Sequence, residues 1–154
     1  ADIGQPTSFF VGCALNLCPP DPVQEIKNLR HKLAAGADFI LTQPVFEPER
    51  AQSFLDQYAE QYGPLHVPVM VGILPLFSAR HAAFLHNEVP GITIPEVIQE
   101  RIRQAGENAP QEGVRIAIEL THQMQHFARG IYLMPAFHRY DLAADIVEGA
   151  RRPS

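Results

Sequence analysis

The chain has 154 residues, of which 46% are hydrophobic and 19% are charged; this is typical of one globular domain and excludes intrinsic disorder. The formal net charge of −5 argues against a nucleic-acid partner, because nucleic-acid-binding proteins carry basic surfaces. No apolar run reaches the roughly 20 residues of a transmembrane helix, so no membrane partner is expected.

The two cysteines, Cys13 and Cys18, are too few for a disulfide framework and favour a cytoplasmic protein. The first seven residues carry neither a basic nor an apolar segment, so no signal peptide is expected. The first residue is alanine rather than methionine, as at the cut edge of a longer protein.

Four short apolar runs predict β-strands at residues 9–14, 39–42, 69–74 and 131–134. The runs are continuous rather than alternating, which is typical of parallel strands covered on both faces. Asp21 and Pro22 predict the start of a helix that ends at Gly36, and Pro48 predicts the start of a second helix that ends at Gly63.

The third unit is longer than the first two. Its patterns predict three helices, one capped by Ser78, one opened by Pro95 and one over residues 114–127, and a closing helix follows the last strand over residues 142–147. The chain therefore predicts an α/β fold of four parallel (β/α) units with extra helices in the third unit.

The first two units start about 30 residues apart, the period of a TIM (β/α)8 barrel, but a whole barrel needs about 250 residues. Residues 1–154 are thus expected to form either a small open sheet or a single partial domain, the second half of a barrel. In the second case we expect the side chains facing the barrel interior to include Val11, Cys13, Ile40, Met70 and Ile73.

Functional residues in parallel α/β proteins lie at the carboxyl ends of the strands. Gln43 is the one strongly polar residue that emerges directly from a predicted strand end, and its amide offers both donors and an acceptor to a ring edge such as a pterin. The alternative is a buried glutamine that satisfies neighbouring backbone groups.

Charged and metal-binding patterns are weaker. Glu25 and Lys32 lie two turns apart on the first helix and suit hydroxyls and a phosphate, although a solvated helix face has the same pattern. His122, His126 and Glu119 share a helix face without the HExxH spacing of a zinc enzyme, so a structural histidine pair and no metal are expected.

Five segments together resemble the methylenetetrahydrofolate reductase family. They are residues 10–16, 35–46, 72–76, 87–92 and 130–135, and the pattern AGADF-x-x-TQ-x-x-F in the second is the most specific. Their order is similar to the carboxyl-terminal half of the family's barrel, closest to the reductase portion of bacterial bifunctional homocysteine S-methyltransferase/methylenetetrahydrofolate reductases.

The resemblance implies a cytoplasmic flavoprotein of one-carbon metabolism and methionine biosynthesis. Its parent enzyme would use FAD, with NADH or NADPH as the electron donor, to reduce 5,10-methylenetetrahydrofolate to 5-methyltetrahydrofolate. At matching positions, Ala14, Asn16, Glu25 and Lys32 would contact FAD. Gln43 and Phe84 would contact the folate substrate.

The same resemblance places the general acid in the amino-terminal half, so no catalytic residue is expected in this chain. Glu47, four residues after Gln43, is the nearest carboxylate along the chain. The fragment alone is expected to be inactive and to form a homo-oligomer. The alternative function is a non-catalytic, self-associating half-barrel scaffold. A barrel enzyme with a Schiff-base lysine is disfavoured because Lys27 and Lys32 both fall in a predicted helix.

Overall fold

The computed structural model describes residues 4, 8–135 and 138–151; the expectation about a signal peptide falls largely outside them. The strands are β1 (Gly12–Leu15), β2 (Phe39–Pro44), β3 (Val69–Ile73) and β4 (Gly130–Leu133). The helices are α1 (Pro22–Ala34), α2 (Pro48–Tyr62), α3 (Ala79–Glu88), α4 (Glu96–Ala105), α5 (Ala109–Met124) and α6 (Tyr140–Ala150), with a 3-10 turn (Gly106–Asn108) before α5. Among the residues described, no helix is both long and apolar enough to cross a membrane.

The four strands form one parallel sheet in the order β1-β2-β3-β4. At least one helix connects each strand to the next, and the extra helices α4 and α5 lie in the third unit as predicted. Sequential parallel order with a helix in every connection is the arrangement of four consecutive units of a (β/α)8 barrel. The predicted fold class is therefore confirmed.

Local sequence signals set most helix ends. The Asp21 carboxylate accepts a hydrogen bond from the Gln24 amide at 3.0 Å, and the Ser78 hydroxyl accepts one from the His81 amide at 3.1 Å. Gly63 ends α2 with a φ of +79°. Several boundaries differ from prediction: β1 begins at Gly12 rather than at residue 9, β2 extends to Pro44 rather than to residue 42, and α5 covers Ala109–Met124 instead of residues 114–127.

Among the described residues, helices cover one face of the sheet and leave the other uncovered. The side chains of Ile40, Val71 and Ile73 are at most 1% exposed and belong to the core shared with the helices. Leu41, the next residue along β2, is 39% exposed on the opposite face. Met70 pairs in register with Leu41, so it shares the uncovered face.

The expected set of interior residues is therefore mostly wrong. Ile40 and Ile73 face the helices, and Cys13 joins them because it is the register partner of Ile40. Val11, two residues before Cys13, precedes the strand and is exposed. Only Met70 lies on the uncovered face, because the pleat sends successive side chains to opposite sides.

Candidate active site

The ladder between β2 and β3 is interrupted at the carboxyl end of β2. Leu41 pairs with Met70, but the next pair is Pro44 with Gly72, so β2 has one more residue than β3 in this interval. Proline carries no amide hydrogen and cannot donate to a ladder, which makes it common at such irregularities. The extra residue forms a bulge at Thr42 and Gln43, and bulges redirect side chains next to functional sites.

Hydroxyl groups replace backbone partners in the bulge. The buried Thr42 hydroxyl accepts the Gly72 amide at 3.0 Å and donates to the Gln43 carbonyl at 2.8 Å. The hydroxyl of Tyr132, from β4, donates to the Thr42 carbonyl. Burial raises the pKa of Tyr132, so it remains a protonated donor at neutral pH.

Gln43 is exposed at the end of the bulged strand. In the described part of the chain, its side-chain amide makes no hydrogen bond. The alternative of a buried glutamine that satisfies the backbone is therefore wrong. Both amide donors and the acceptor are available to a ligand at the carboxyl edge of the sheet.

Glu25 and Lys32 do not lie on a solvated helix face. Both side chains are half-buried and reach from α1 to the outer edge of β1. The Lys32 ammonium donates to the Ala14 carbonyl at 2.7 Å, and the Glu25 carboxylate accepts the Asn16 amide at 3.1 Å. All four residues implied to contact FAD are thus brought together, with α1 satisfying polar groups at the outer edge of β1.

Asn16 also connects β1 to the loop that follows α3. Its side-chain oxygen accepts the Cys18 amide at 2.9 Å, and its side-chain nitrogen donates to the Gly91 carbonyl at 3.4 Å. Gly91 has a φ of +84°, in the region that favours glycine. The contact joins two of the segments that carry the family resemblance, residues 10–16 and 87–92.

Phe84 lies on α3, after β3, with 57% of its surface exposed. It lines a cavity of about 310 Å³ together with Phe77, Ser78, Arg80 and His81. The buried His81 ring stacks on Phe77 with 4.1 Å between ring centroids, and burial lowers the pKa of His81 to about 4. Three aromatic rings therefore line the cavity beside Ser78 and Arg80, and its histidine is neutral at pH 7.

The carboxylate nearest Gln43 along the chain is already paired. Glu47 precedes the first turn of α2, and its Oε2 lies 2.7 Å from Nη1 of Arg50. The same arginine donates to the Cys18 and Pro19 carbonyls. Burial is the main factor that raises the pKa of Cys18 to about 11, so this thiol is protonated and unreactive at neutral pH.

The two α5-region histidines have separate partners. His122 lies 3.4 Å from the Ala150 carbonyl, whereas His126 lies 2.9 Å from the Gln52 side-chain oxygen. Glu119 forms a two-point ion pair with Arg101 of α4. Within the described residues, no group of three or more His, Cys, Asp or Glu side chains is arranged to hold a metal ion.

Sequence reasoning did not identify the residues that support Gln43. Thr42, Gly72 and Tyr132 each lie in a segment of the family resemblance, but their contacts join strands that are far apart in sequence. The one local signal was Pro44, whose missing amide hydrogen indicates an irregular ladder.

Comparison with known proteins agrees with this architecture. Residues 15–148 match the family model described as methylenetetrahydrofolate reductase. Methylenetetrahydrofolate reductases 1 and 2 of Schizosaccharomyces pombe are 24% and 28% identical over 110 and 88 residues, which cover 69% and 55% of this chain. Those segments are 18% and 13% of the yeast proteins, so the chain spans less than a fifth of their length.

A solved structure shows the same fold. It is an uncharacterized protein from Clostridium thermocellum that binds two copies of 5-methyl-5,6,7,8-tetrahydrofolic acid. It superposes with a TM-score of 0.63 at 17% identity and covers 83% of this chain, which corresponds to 47% of that protein.

The fold and the strand-end residues define a parallel (β/α) half-barrel with a polar site at the carboxyl edge of its sheet. The match over residues 15–148 is more specific than the fold. The chain belongs to the methylenetetrahydrofolate reductase family.

The burial of His81 predicts a pH-dependent stability. The pKa is lowered from 6.5 to about 4 in the folded chain, so between these values the unfolded chain binds a proton that the folded chain does not. The contribution of His81 to the free energy of unfolding is therefore complete above pH 6.5 and is lost as the pH is lowered toward 4. Urea denaturation across this range should show a shallower decrease for His81→Gln than for the original chain.

The exposed His66 supplies a matched control. The His66→Gln chain should keep the pH dependence of the original chain. Equal slopes for His81→Gln and the original chain would show that the burial of His81 is not the origin of the effect.

Proposed function

We propose that this chain is the carboxyl-terminal half of a reductase barrel that acts on a folate. The complete enzyme would reduce 5,10-methylenetetrahydrofolate to 5-methyltetrahydrofolate with FAD and NADH or NADPH, in the cytoplasm. The observation that carries this proposal is the exposed amide of Gln43 on the β2 bulge. Membership of the family and the folate bound by the Clostridium thermocellum protein support it.

The folate would bind between two elements at the carboxyl side of the sheet. Gln43 would pair with donor and acceptor atoms of the pterin ring. Phe84 would pack on the bound ligand from the aromatic cavity at the start of α3, where the exposed ring leaves apolar area for burial. The neutral His81 adds no charge to this wall.

The residues at the β1 edge fit the chemistry of FAD. An ammonium has three donors, and Lys32 uses one of them for Ala14, so two remain for phosphate oxygens. Glu25 accepts from Asn16 and Asn28 and keeps acceptor capacity for hydroxyl groups. Ala14 and Asn16 would line the flavin. When bound, FAD would supply the hydride that reduces the folate.

The chain by itself would be inactive. Opening the folate for reduction requires a proton donor, and Glu47 is held by Arg50 rather than presented at the strand end. The general acid would come from the half of the barrel that precedes these four units.

Removal of the Gln43 amide should weaken folate binding. Loss of a hydrogen-bonding pair to a polar ring costs about 1–3 kcal/mol, so Gln43→Ala should lower the affinity for 5-methyltetrahydrofolate roughly 5- to 150-fold. Isothermal titration calorimetry would measure this. Gln57→Ala, an exposed glutamine on α2, should bind like the original chain. An unchanged affinity in Gln43→Ala would contradict the assignment.

Removal of the Lys32 charge should lower the affinity for FAD and should make that affinity less dependent on salt concentration. An ammonium that contacts phosphate is screened as ionic strength rises, and Lys32→Ala removes that contribution. Quenching of flavin fluorescence at several salt concentrations would measure both effects. Lys27→Ala, on an exposed part of the same helix, is the matched control. Identical salt profiles for Lys32→Ala and Lys27→Ala would exclude the phosphate contact.

A second candidate function is the self-associating scaffold. The uncovered sheet face favours it, because Phe10 and Leu41 are 73% and 39% exposed there and the ring of Phe10 stacks on Phe39. Apolar patches of this kind mark interaction surfaces in soluble proteins. A two-fold homo-oligomer would bury this face against a second copy.

Sedimentation velocity can test this association. The chain should sediment as a dimer, and Leu41→Glu should shift it to the monomer by placing a charge in the apolar face. Val97→Glu, at an exposed valine on α4, should leave the dimer intact. A monomer at all concentrations would contradict association, and a yellow protein with flavin absorbance would favour the reductase over the scaffold.

A further inference from the structure

We propose that Tyr132 is a positioning residue: its hydroxyl holds the β2 bulge so that Gln43 is presented to the ligand. That this ligand is a folate rests on the proposed function. The contact itself joins the last strand of the sheet to the second one, across the intervening strand β3.

The first argument is the geometry of the two carbonyls that flank the Cα of Gln43. The Thr42 carbonyl accepts from Tyr132, and the Gln43 carbonyl accepts from the Thr42 hydroxyl at 2.8 Å. Because a peptide unit is planar, a hydrogen bond at each carbonyl restrains the plane on that side of Gln43. The side-chain direction of Gln43 follows from these two planes.

The second argument is the interrupted ladder. Gln43 lies between the pairs Leu41 with Met70 and Pro44 with Gly72, where the bulge departs from regular strand pairing. A residue in a regular ladder is held by its neighbours, whereas the bulge depends on side-chain hydroxyls. The Thr42 hydroxyl has one hydrogen, which it donates to Gln43, so it cannot also restrain its own carbonyl.

The third argument is the glycine that lies beside the Thr42 carbonyl and the Tyr132 hydroxyl, Gly72 of β3. A Cβ atom on Gly72 would lie 3.0 Å from both the Thr42 carbonyl oxygen and the Tyr132 hydroxyl, and 2.7 Å from the Met134 methyl group. A side chain at position 72 would therefore crowd the Thr42 carbonyl, the Tyr132 hydroxyl and the Met134 methyl group. Because Gly72 has no side chain, the Tyr132 ring can cross β3 and its hydroxyl can reach the Thr42 carbonyl.

The direct test uses hydrogen exchange in Tyr132→Phe, which keeps the ring and removes only the hydroxyl. The amides of Gly72 and Val45, which bond to the Thr42 hydroxyl and the Gly72 carbonyl, should exchange faster. The Ile40 amide, at the other end of β2, should be unchanged. Tyr62→Phe, at an exposed tyrosine on α2, is the matched control. Unchanged exchange at Gly72 and Val45 in Tyr132→Phe would overturn the inference.

The ligand part is tested by a double-mutant cycle with 5-methyltetrahydrofolate as the probe. Tyr132→Phe should lower the affinity about 3- to 10-fold. If Tyr132 acts through Gln43, the same change in a Gln43→Ala chain should cause no further loss. Losses that multiply in the double variant would show that Tyr132 acts independently of Gln43 and would overturn its positioning role.

The two measurements separate this inference from the proposed function. If the original chain does not bind the folate, the proposed function of this chain is contradicted. The exchange of Gly72 and Val45 then still decides whether Tyr132 holds the bulge, since that measurement needs no ligand.

Discussion

The hydrogen bond between the Gly72 amide and the Thr42 hydroxyl is the constraint on which the site depends. A buried amide must find an acceptor, and the irregular pairing of β2 and β3 supplies a side chain at this point. One hydroxyl therefore joins two strands and, by donating to the Gln43 carbonyl, also orients the residue that the family resemblance assigns to the folate. Thr42 therefore supports both the pairing of β2 with β3 and the position of Gln43.

The one-sided coverage of the sheet explains which residues the barrel interior would contain. Four parallel units place their helices against one face, where Ile40, Val71 and Ile73 are buried. The other face keeps its apolar side chains close to the sheet: the Phe39 ring lies over Gly12, and the end of Met70 lies over Gly130. Small residues on neighbouring strands thus make room for large ones, as in the packed layers of a closed barrel.

The charged side chains of α1 satisfy backbone groups at the outer edge of β1. Lys32 and Glu25 satisfy a carbonyl and an amide at the edge of β1. An edge strand with unpaired backbone groups invites pairing with other chains, and charged side chains at the edge reduce that hazard. The same two groups retain hydrogen-bonding capacity, which the proposed contacts with FAD would use.

The sequence by itself determined the four units, their order and most helix ends, because Asp21, Ser78 and Gly63 act through contacts within a few residues. It also singled out Gln43 and the family, since both rest on local patterns. Only the tertiary structure decided which strand face the helices cover, because continuous apolar runs contain no alternation from which Ile40 and Leu41 could be told apart. It alone revealed the support from Thr42 and Tyr132, whose hydrogen bonds join residues 30 and 90 positions apart in the chain.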